Sequence, residues 1–444
     1  MKKTFLVVLS FLLAAIVALS LAACGKNEAE LPEKKDPVSQ YKARGFDAST
    51  LKNQVSWEGI NAFKPTTEIA ELYETDPDAA IAEARQIAID FFIYAKTATW
   101  IPSDTWEFTH HADGDNPDVM TGGQVYGGLP YVGLGSSAIY RLMDFIDAET
   151  GVVDIYTAAG KNHEYQKMFG NQCANGAYQG WCRFINSAKY SGTPRMTQFN
   201  NFIPVGDYTY PQHTIVWTTD YNTKDVCAEN GDQTMFEAYA KLVPGDGVVN
   251  YTTAGHVMMV VSEPTVVHDT AGKIDSVRSY VYIADQHVEF STYQHPNGGD
   301  VCQAANYINN KYTFQKLVES GYLPFTYKEW LGEDPIEVPD TAFSHTGDAI
   351  TLNQLYNAKI TSNYHIYDIY AEIYDAAGNE VVKIGTHNDG ASQYTLQFAK
   401  VGIQAVCWGD PNELDLSKEH TVKVYCQLGT GERPVLWMGK LVQE

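Results

Sequence analysis

A chain of 444 residues, 44% hydrophobic and 19% charged, has the composition of a globular protein and is too long for one ordinary core, so at least two domains are expected. Its formal charge of −23 excludes nucleic acid and anionic lipid surfaces as partners held by charge, and argues equally against a polyanionic substrate. The acidity reads as a solvated, secreted surface.

The chain opens with Met1-Lys2-Lys3, an apolar run over residues 5–19, and Leu21-Ala22-Ala23-Cys24-Gly25. A short basic head, a short apolar core and small residues before a cysteine predict an export signal over 1–23. The small residues before Cys24 resemble the bacterial lipoprotein box, which implies lipidation of Cys24 and anchoring at the extracytoplasmic face of a bacterial cell membrane. Removal of Lys2 and Lys3 with the signal brings the charge to −25, so the lipid, not charge, would hold the membrane. Residues 24–45 are polar and Pro-containing and predict a flexible tether.

A helix is expected from Asp76-Pro77-Asp78, with an acceptor cap, proline in the first turn and an apolar stripe through Ile81, Ala84, Ile87, Ala88, Phe91, Phe92 and Ala95. A Gly-rich loop follows over residues 122–135, then a second capped helix over 136–146. The loop carries no lysine, so a phosphate cradle is a poor reading. Next comes Gly170-Asn171-Gln172-Cys173-Ala174-Asn175-Gly176-Ala177-Tyr178-Gln179-Gly180-Trp181, whose apolar residues recur at helical spacing after loop and cap residues. Cys173 therefore sits in the first turn of a buried helix. There the unpaired backbone N–H groups and the helix dipole favour thiolate over thiol.

Residues 191–230, rich in Thr, Asn, Tyr and Pro, predict a long loop walling a cleft, and residues 233–242 predict a helix. Gly245-Asp246 then leads into one apolar strand, and Ala254-Gly255-His256-Val257-Met258-Met259-Val260-Val261 into another, with His256 at its head. A third run, Ser279-Tyr280-Val281-Tyr282-Ile283-Ala284, ends in Asp285-Gln286-His287. Strand alternation puts Val281, Ile283, Asp285 and His287 on one face and Gln286 on the other, so Asp285 is the first choice for orienting His256. Gln286, brought inward by a bulge, is the second.

A helix-borne cysteine, then a Gly-Asp-led strand, then His-Val resembles the NlpC-type cell-wall cysteine peptidases, a papain-like family, over residues 120–290. In that resemblance Cys173 matches the nucleophile, His256 the base, and Pro130-Tyr131 the segment whose tyrosine lies beside the nucleophile. It implies a papain-like α+β domain over 46–334 with an N-terminal helical extension, hydrolysis of an amide or peptide bond in peptidoglycan stem peptides through a Cys173 thioester, and no cofactor. The oxyanion would be held by the Cys173 N–H with Tyr131 as the neighbouring donor. The chain departs from the family by carrying Gln172-Cys173-Ala174 where Asp-Cys-Ser is usual, which favours a rival, a noncatalytic surface binding protein, whereas retention of Cys173 with His256 opposes it; a transamidase using the same thioester is a third possibility.

From residue 335 the pattern changes to short alternating runs, among them Tyr367-Asp368-Ile369-Tyr370-Ala371-Glu372-Ile373-Tyr374 and Thr421-Val422-Lys423-Val424-Tyr425, which predict a C-terminal β-sandwich over 335–444. Seven cysteines are present, and Cys407 with Cys426 is the expected disulfide. No Cys-x-x-Cys or His-x-x-x-His spacing suggests a zinc site, and His110-His111 beside Asp113 and Asp115 reads as a loop.

Overall fold

The computed structural model describes residues 54–103, 105–108, 118–131, 138–147, 151–153, 170–186, 203–210, 221–252, 255–294, 301–387, 394–398, 405–408 and 414–443. The expected signal, Cys24, the tether, His110-His111 and most of the loop over 191–230 lie outside them. Two compact units are present, one within 1–60, 85–180 and 191–334, the other within 61–84, 181–190 and 335–444.

In chain order the elements begin with α1 (Trp57–Asn61), α2 (Thr67–Thr75) and α3 (Pro77–Thr97), followed by strands β1 (Thr99–Pro102), β2 (Trp106–Phe108), β3 (Asp118–Met120), β4 (Tyr126–Gly127) and β5 (Val152–Val153). Then come α4 (Cys173–Trp181), β6 (Ile203–Pro204), α5 (Thr223–Asn230), α6 (Asp232–Tyr239), β7 (Gly247–Tyr251), β8 (Gly255–Val260), β9 (Tyr280–Gln294), β10 (Val301–Thr313), α7 (Phe314–Glu319) and β11 (Leu323–Thr326). The chain finishes with β12 (Thr341–Phe343), β13 (Ala349–Ile350), α8 (Leu352–Asn357), β14 (Ile360–Ser362), β15 (Ile366–Tyr374), β16 (Glu380–His387), β17 (Thr395–Leu396), β18 (Ala405–Trp408), β19 (His420–Leu428) and β20 (Val435–Leu441).

The expected papain-like α+β domain followed by a β-sandwich is not what the chain adopts. The described residues form a mixed, sheet-rich fold with four sheets: nine strands in the order β5-β1-β4-β10-β9-β8-β7-β11-β6, six in the order β13-β20-β19-β15-β16-β18, three in the order β12-β14-β17, and the pair β2-β3. Alternation marks strands but not which strands pair. The strand that most extends the first sheet, β10, carries Gln303, Asn306, Asn309, Asn310 and Lys311, which hide it from any apolar pattern. It pairs with β9 along nearly its whole length, with register shifts at two places. The expected helix over 136–146 is, among the described residues, a 3₁₀ turn at Ile139–Asp144 whose first N–H donates to Gln179 Oε1 at 3.0 Å.

In the first unit the core lies where α3 and α4 meet the middle of the nine-stranded sheet. Val257, Met258, Met259 and Val260 of β8 are fully buried, as are Val281, Ile283 and Ala284 of β9, the pattern of a strand covered on both faces. Close approach is made possible by two glycines of α4. A Cβ on Gly180 would meet Met259 Cε at 2.7 Å, Phe92 Cβ at 3.0 Å and the Ala88 carbonyl at 3.1 Å, and one on Gly176 would meet Gln286 Cβ at 3.1 Å. Glycine inside a helix costs about 1 kcal/mol relative to alanine, so it persists here as the residue that lets helix and sheet touch.

In the second unit one face of the six-stranded sheet forms the core: Ile369, Ala371 and Ile373 of β15 stand opposite Cys426, Val424 and Val422 of β19. The sheet order removes the expected disulfide. Cys407 lies on β18 and Cys426 on β19, with β16 and β15 between them. Three strand spacings come to about 14 Å, whereas a disulfide needs Cα atoms within about 7 Å. Cys426 is a free, buried thiol.

Candidate active site

Helix α4 begins at Cys173 itself, with the Gln172 carbonyl already accepting the Gly176 N–H at 2.8 Å. The thiol is buried at the positive end of the helix, where the backbone N–H groups have no intrahelical partner to claim them. Its sulfur lies 3.9 Å from the Gly255 carbonyl, at the head of β8. The next residue of that strand is His256, whose side chain acts electrostatically on the thiol. His256 is fixed from two other directions. Its backbone N–H donates to Asn250 Oδ1 on neighbouring β7 at 2.9 Å, and its Nε2 lies 2.8 Å from Asp285 Oδ2 on β9.

Cys173, His256 and Asp285 thus stand in one chain of contacts, drawn from a helix and two adjacent strands. Strands β8 and β9 pair at Met259–Ala284 and Val260–Ile283, which sets Asp285 at the height needed to reach the imidazole. Gln286 is not in that chain. Its amide donates to the Leu129 carbonyl at 3.0 Å and its Oε1 accepts from Lys96 Nζ at 2.7 Å, on the side of β9 toward α3 and α4. His287 shares the face of Asp285, with its ring edge-on to that of His256 at 6.4 Å between centroids. Tyr131 is buried and forms an isolated parallel bridge with Asn171, two residues before the thiol. The Pro130 carbonyl accepts the Asn171 N–H at 3.0 Å.

Electrostatically the cysteine and histidine act on each other. Burial opposes the thiolate, but the charge and hydrogen bond of His256, aided by the Val257 and Ala174 N–H groups, outweigh it and hold the Cys173 thiol below the usual thiol range. Burial likewise opposes the imidazolium, yet the Cys173 charge and the Asp285 hydrogen bond hold His256 well above the ordinary histidine range. Three other buried free thiols go the opposite way: burial pushes Cys182, Cys227 and Cys426 each up to about 12. Of these four thiols it is Cys173 whose surroundings favour ionisation, and such a thiol is a nucleophile.

Two contributors escaped the sequence. One is Asn250, whose amide fixes the backbone at His256. The other is Lys96, 2% exposed, at the end of α3. Burial lowers its pKa to about 7, against the pull of the Asp285 and Cys173 charges. The available signal was a single lysine following Phe92 and Ala95 in an otherwise apolar stripe.

The Gly245-Asp246 pair has a structural place. Asp246 Oδ1 accepts from Arg85 Nη1 at 2.8 Å, and its Oδ2 accepts the Val243 N–H at 2.8 Å. Arg85 donates further to the carbonyls of Pro244 and Trp330. This buried pair ties α3 to the turn that enters β7.

Among the described residues no group of three or more His, Cys, Asp and Glu side chains is arranged to hold a metal, and no helix is long and apolar enough to cross a membrane. No family model, no curated protein and no solved structure matches this chain.

Proposed function

We propose that this protein is a cysteine hydrolase that cleaves an amide or peptide bond through a thioester on Cys173. The observation that carries the reading is the continuous chain Cys173–His256–Asp285, with the thiol at a helix N-terminus and its ionisation favoured. In the reaction the Cys173 thiolate attacks the carbonyl carbon, and the Cys173 backbone N–H faces the oxygen as it gains charge. The His256 imidazolium gives a proton to the leaving amine, and the C–N bond breaks to leave the thioester. Water, deprotonated by the now neutral His256, then attacks the thioester carbonyl, and the C–S bond breaks to release the acid and restore the thiolate–imidazolium pair. Asp285 holds the ring through Nε2 and balances the imidazolium charge.

The substrate class, stem peptides of the bacterial cell wall, rests on the similarity of the Cys173, Gly245-Asp246 and His256-Val257 order to that of NlpC-type peptidases. The signal and Cys24 support a lipid-anchored protein at the extracytoplasmic face, and the net charge argues against nucleic acid as a partner. Purified protein incubated with peptidoglycan fragments should release new amino and carboxyl termini, and Cys173→Ala should release none. Equal release by both proteins would overturn the reading. Products joined to an added amine, in place of free acid, would assign a transamidase. Binding without turnover would assign the chain to recognition.

A further inference from the structure

The site carries a charged group with no role in the scheme above. Lys96 ends α3 directly beneath the turn of α4 that begins with Cys173. Its Nζ is 2.7 Å from Gln286 Oε1, lies 4.2 Å from the centroid of the Phe92 ring, and would be 3.2 Å from a Cβ on Gly176. Gln286 is itself 1% exposed and pinned at its other end by the Leu129 carbonyl. An ammonium group removed from water at such a depth is expensive to keep, and its neighbours are a ring face, an amide oxygen and a glycine whose missing side chain leaves it room.

The charges nearest to it explain what it balances. The charges of Asp285 on β9 and Cys173 at the head of α4 both act on it electrostatically. Asp285 spends one oxygen on His256, while its buried Oδ1 has no hydrogen-bond partner among the described residues. A thiolate, an imidazolium and a carboxylate together leave one uncompensated negative charge out of water. A further cation restores neutrality, and Lys96 is one that the described residues place within electrostatic reach.

We propose that Lys96, clamped by Gln286, is the buried counter-cation of this site: a positioning residue whose charge keeps Cys173 and His256 in their thiolate–imidazolium form. The inference rests on Cys173 being the nucleophile. It also gives Gln286 a different task from orienting the imidazole, since its oxygen fixes the ammonium and its amide fixes the segment at Leu129.

The test is the pH dependence of iodoacetamide labelling at Cys173, followed residue by residue by mass spectrometry in the full chain. Lys96→Met should move the acid limb of labelling toward higher pH by on the order of tenfold in proton concentration, because one pKa unit is a factor of ten. Lys96→Arg, which keeps the charge, should leave the limb near that of the unaltered protein. A limb unmoved in Lys96→Met, or moved equally by Met and Arg, overturns the proposal and makes Lys96 a packing residue. If Lys96→Met does not fold, Gln286→Met provides the second reading: removal of the amide oxygen should shift the limb the same way by a smaller factor, and an unmoved limb overturns the proposal. Failure of the nucleophile reading looks different. Cys173 would then label no faster than Cys227 in the unaltered protein, and His256→Ala would change nothing.

Discussion

Each unit of the molecule contains a buried cluster of charge, and the two are built on opposite terms. In the second unit, Glu372 of β15 accepts hydrogen bonds from Tyr374 at 2.6 Å, from Tyr425, and from Lys423 at 2.9 Å, with Lys383 at 3.4 Å. Tyr370 stacks on Tyr425, its cross-strand partner, with centroids 5.0 Å apart, and Arg433 lies over both rings. Burial works against the carboxylate, but the hydrogen bonds win and lower its pKa to about 2. The Glu372 carboxylate there has four partners. Around Cys173 the reverse holds: a carboxylate has one buried oxygen without a hydrogen bond, a lysine is driven down to about 7, and a thiol and an imidazole hold each other ionised. A cluster that makes its ions more stable than in water is a brace. One that keeps them ionised at a cost is poised to do chemistry.

The contrast is broken most directly at His256. Replacement by alanine removes both the proton acceptor and the charge that sustains the Cys173 thiolate, so turnover should fall by about a thousandfold or more, the scale of general acid–base catalysis with a lowered nucleophile pKa added. Asp285→Asn should cost on the order of a hundredfold, because a neutral amide does not hold the imidazolium as a carboxylate does. Steady-state hydrolysis by the two variants, with iodoacetamide labelling alongside, checks both. Full turnover in His256→Ala would place the poised cluster with the braces.

Arg85 separates burial from chemistry inside the first unit. Its partner Asp246 has a carboxyl pKa raised by burial, against which the Arg85 guanidinium works. Arg85→Met leaves that carboxylate buried without its cation, and breaking such a pair costs about 3 kcal/mol or more. A group with a raised folded-state pKa stabilises the fold at low pH and gives that up as pH rises, so the loss in Arg85→Met should deepen above the ordinary carboxylate range. Urea unfolding at two pH values measures it. A variant that kept its stability but lost turnover would show that Asp246 belongs to the reactive cluster.

How much of this was readable in the chain follows the range of the forces. Cap and periodicity are local, and they put a helix start at Cys173, which is where α4 begins. Alternation along one strand is also local, and it separates Asp285 from Gln286 correctly as to face: one meets His256, the other Lys96. Lys96 was illegible because a lysine in the last turn of a helix ordinarily complements the dipole from solvent. What buries it, Gly176 and Gln286, lies far along the chain. The fold failed for the same cause. The polar residues of β10 conceal a strand whose partners are set by tertiary pairing, and the separation of Cys407 from Cys426 by two intervening strands is a property of sheet order, which no spacing encodes.

The smallest effect is expected at the brace itself. Because the folded-state pKa of Glu372 is depressed from 4.5 to about 2, its contribution to stability is present in full above pH 4.5 and is lost as pH falls through about 2. Solvent reaches the Lys423 side chain, which is 30% exposed, so the contribution is smaller than the full shift implies and is set at about 2 kcal/mol. Glu372→Gln should therefore be less stable than the unaltered protein near neutral pH and should converge with it in acid, with the two urea midpoints meeting near the lower end of that window. The measurement is best made on a chain that keeps residues 61–84 and 181–190 with 335–444. Within this unit Arg183 donates to the carbonyls of Phe63 and Thr430, and Lys64 pairs with Glu432 at 2.8 Å, so a fragment starting at residue 335 would lack both ties. If the gap between Glu372→Gln and the unaltered protein stayed constant through the acid range, the carboxylate would contribute by shape and not by charge, and the distinction between brace and reactive cluster would have to be drawn elsewhere.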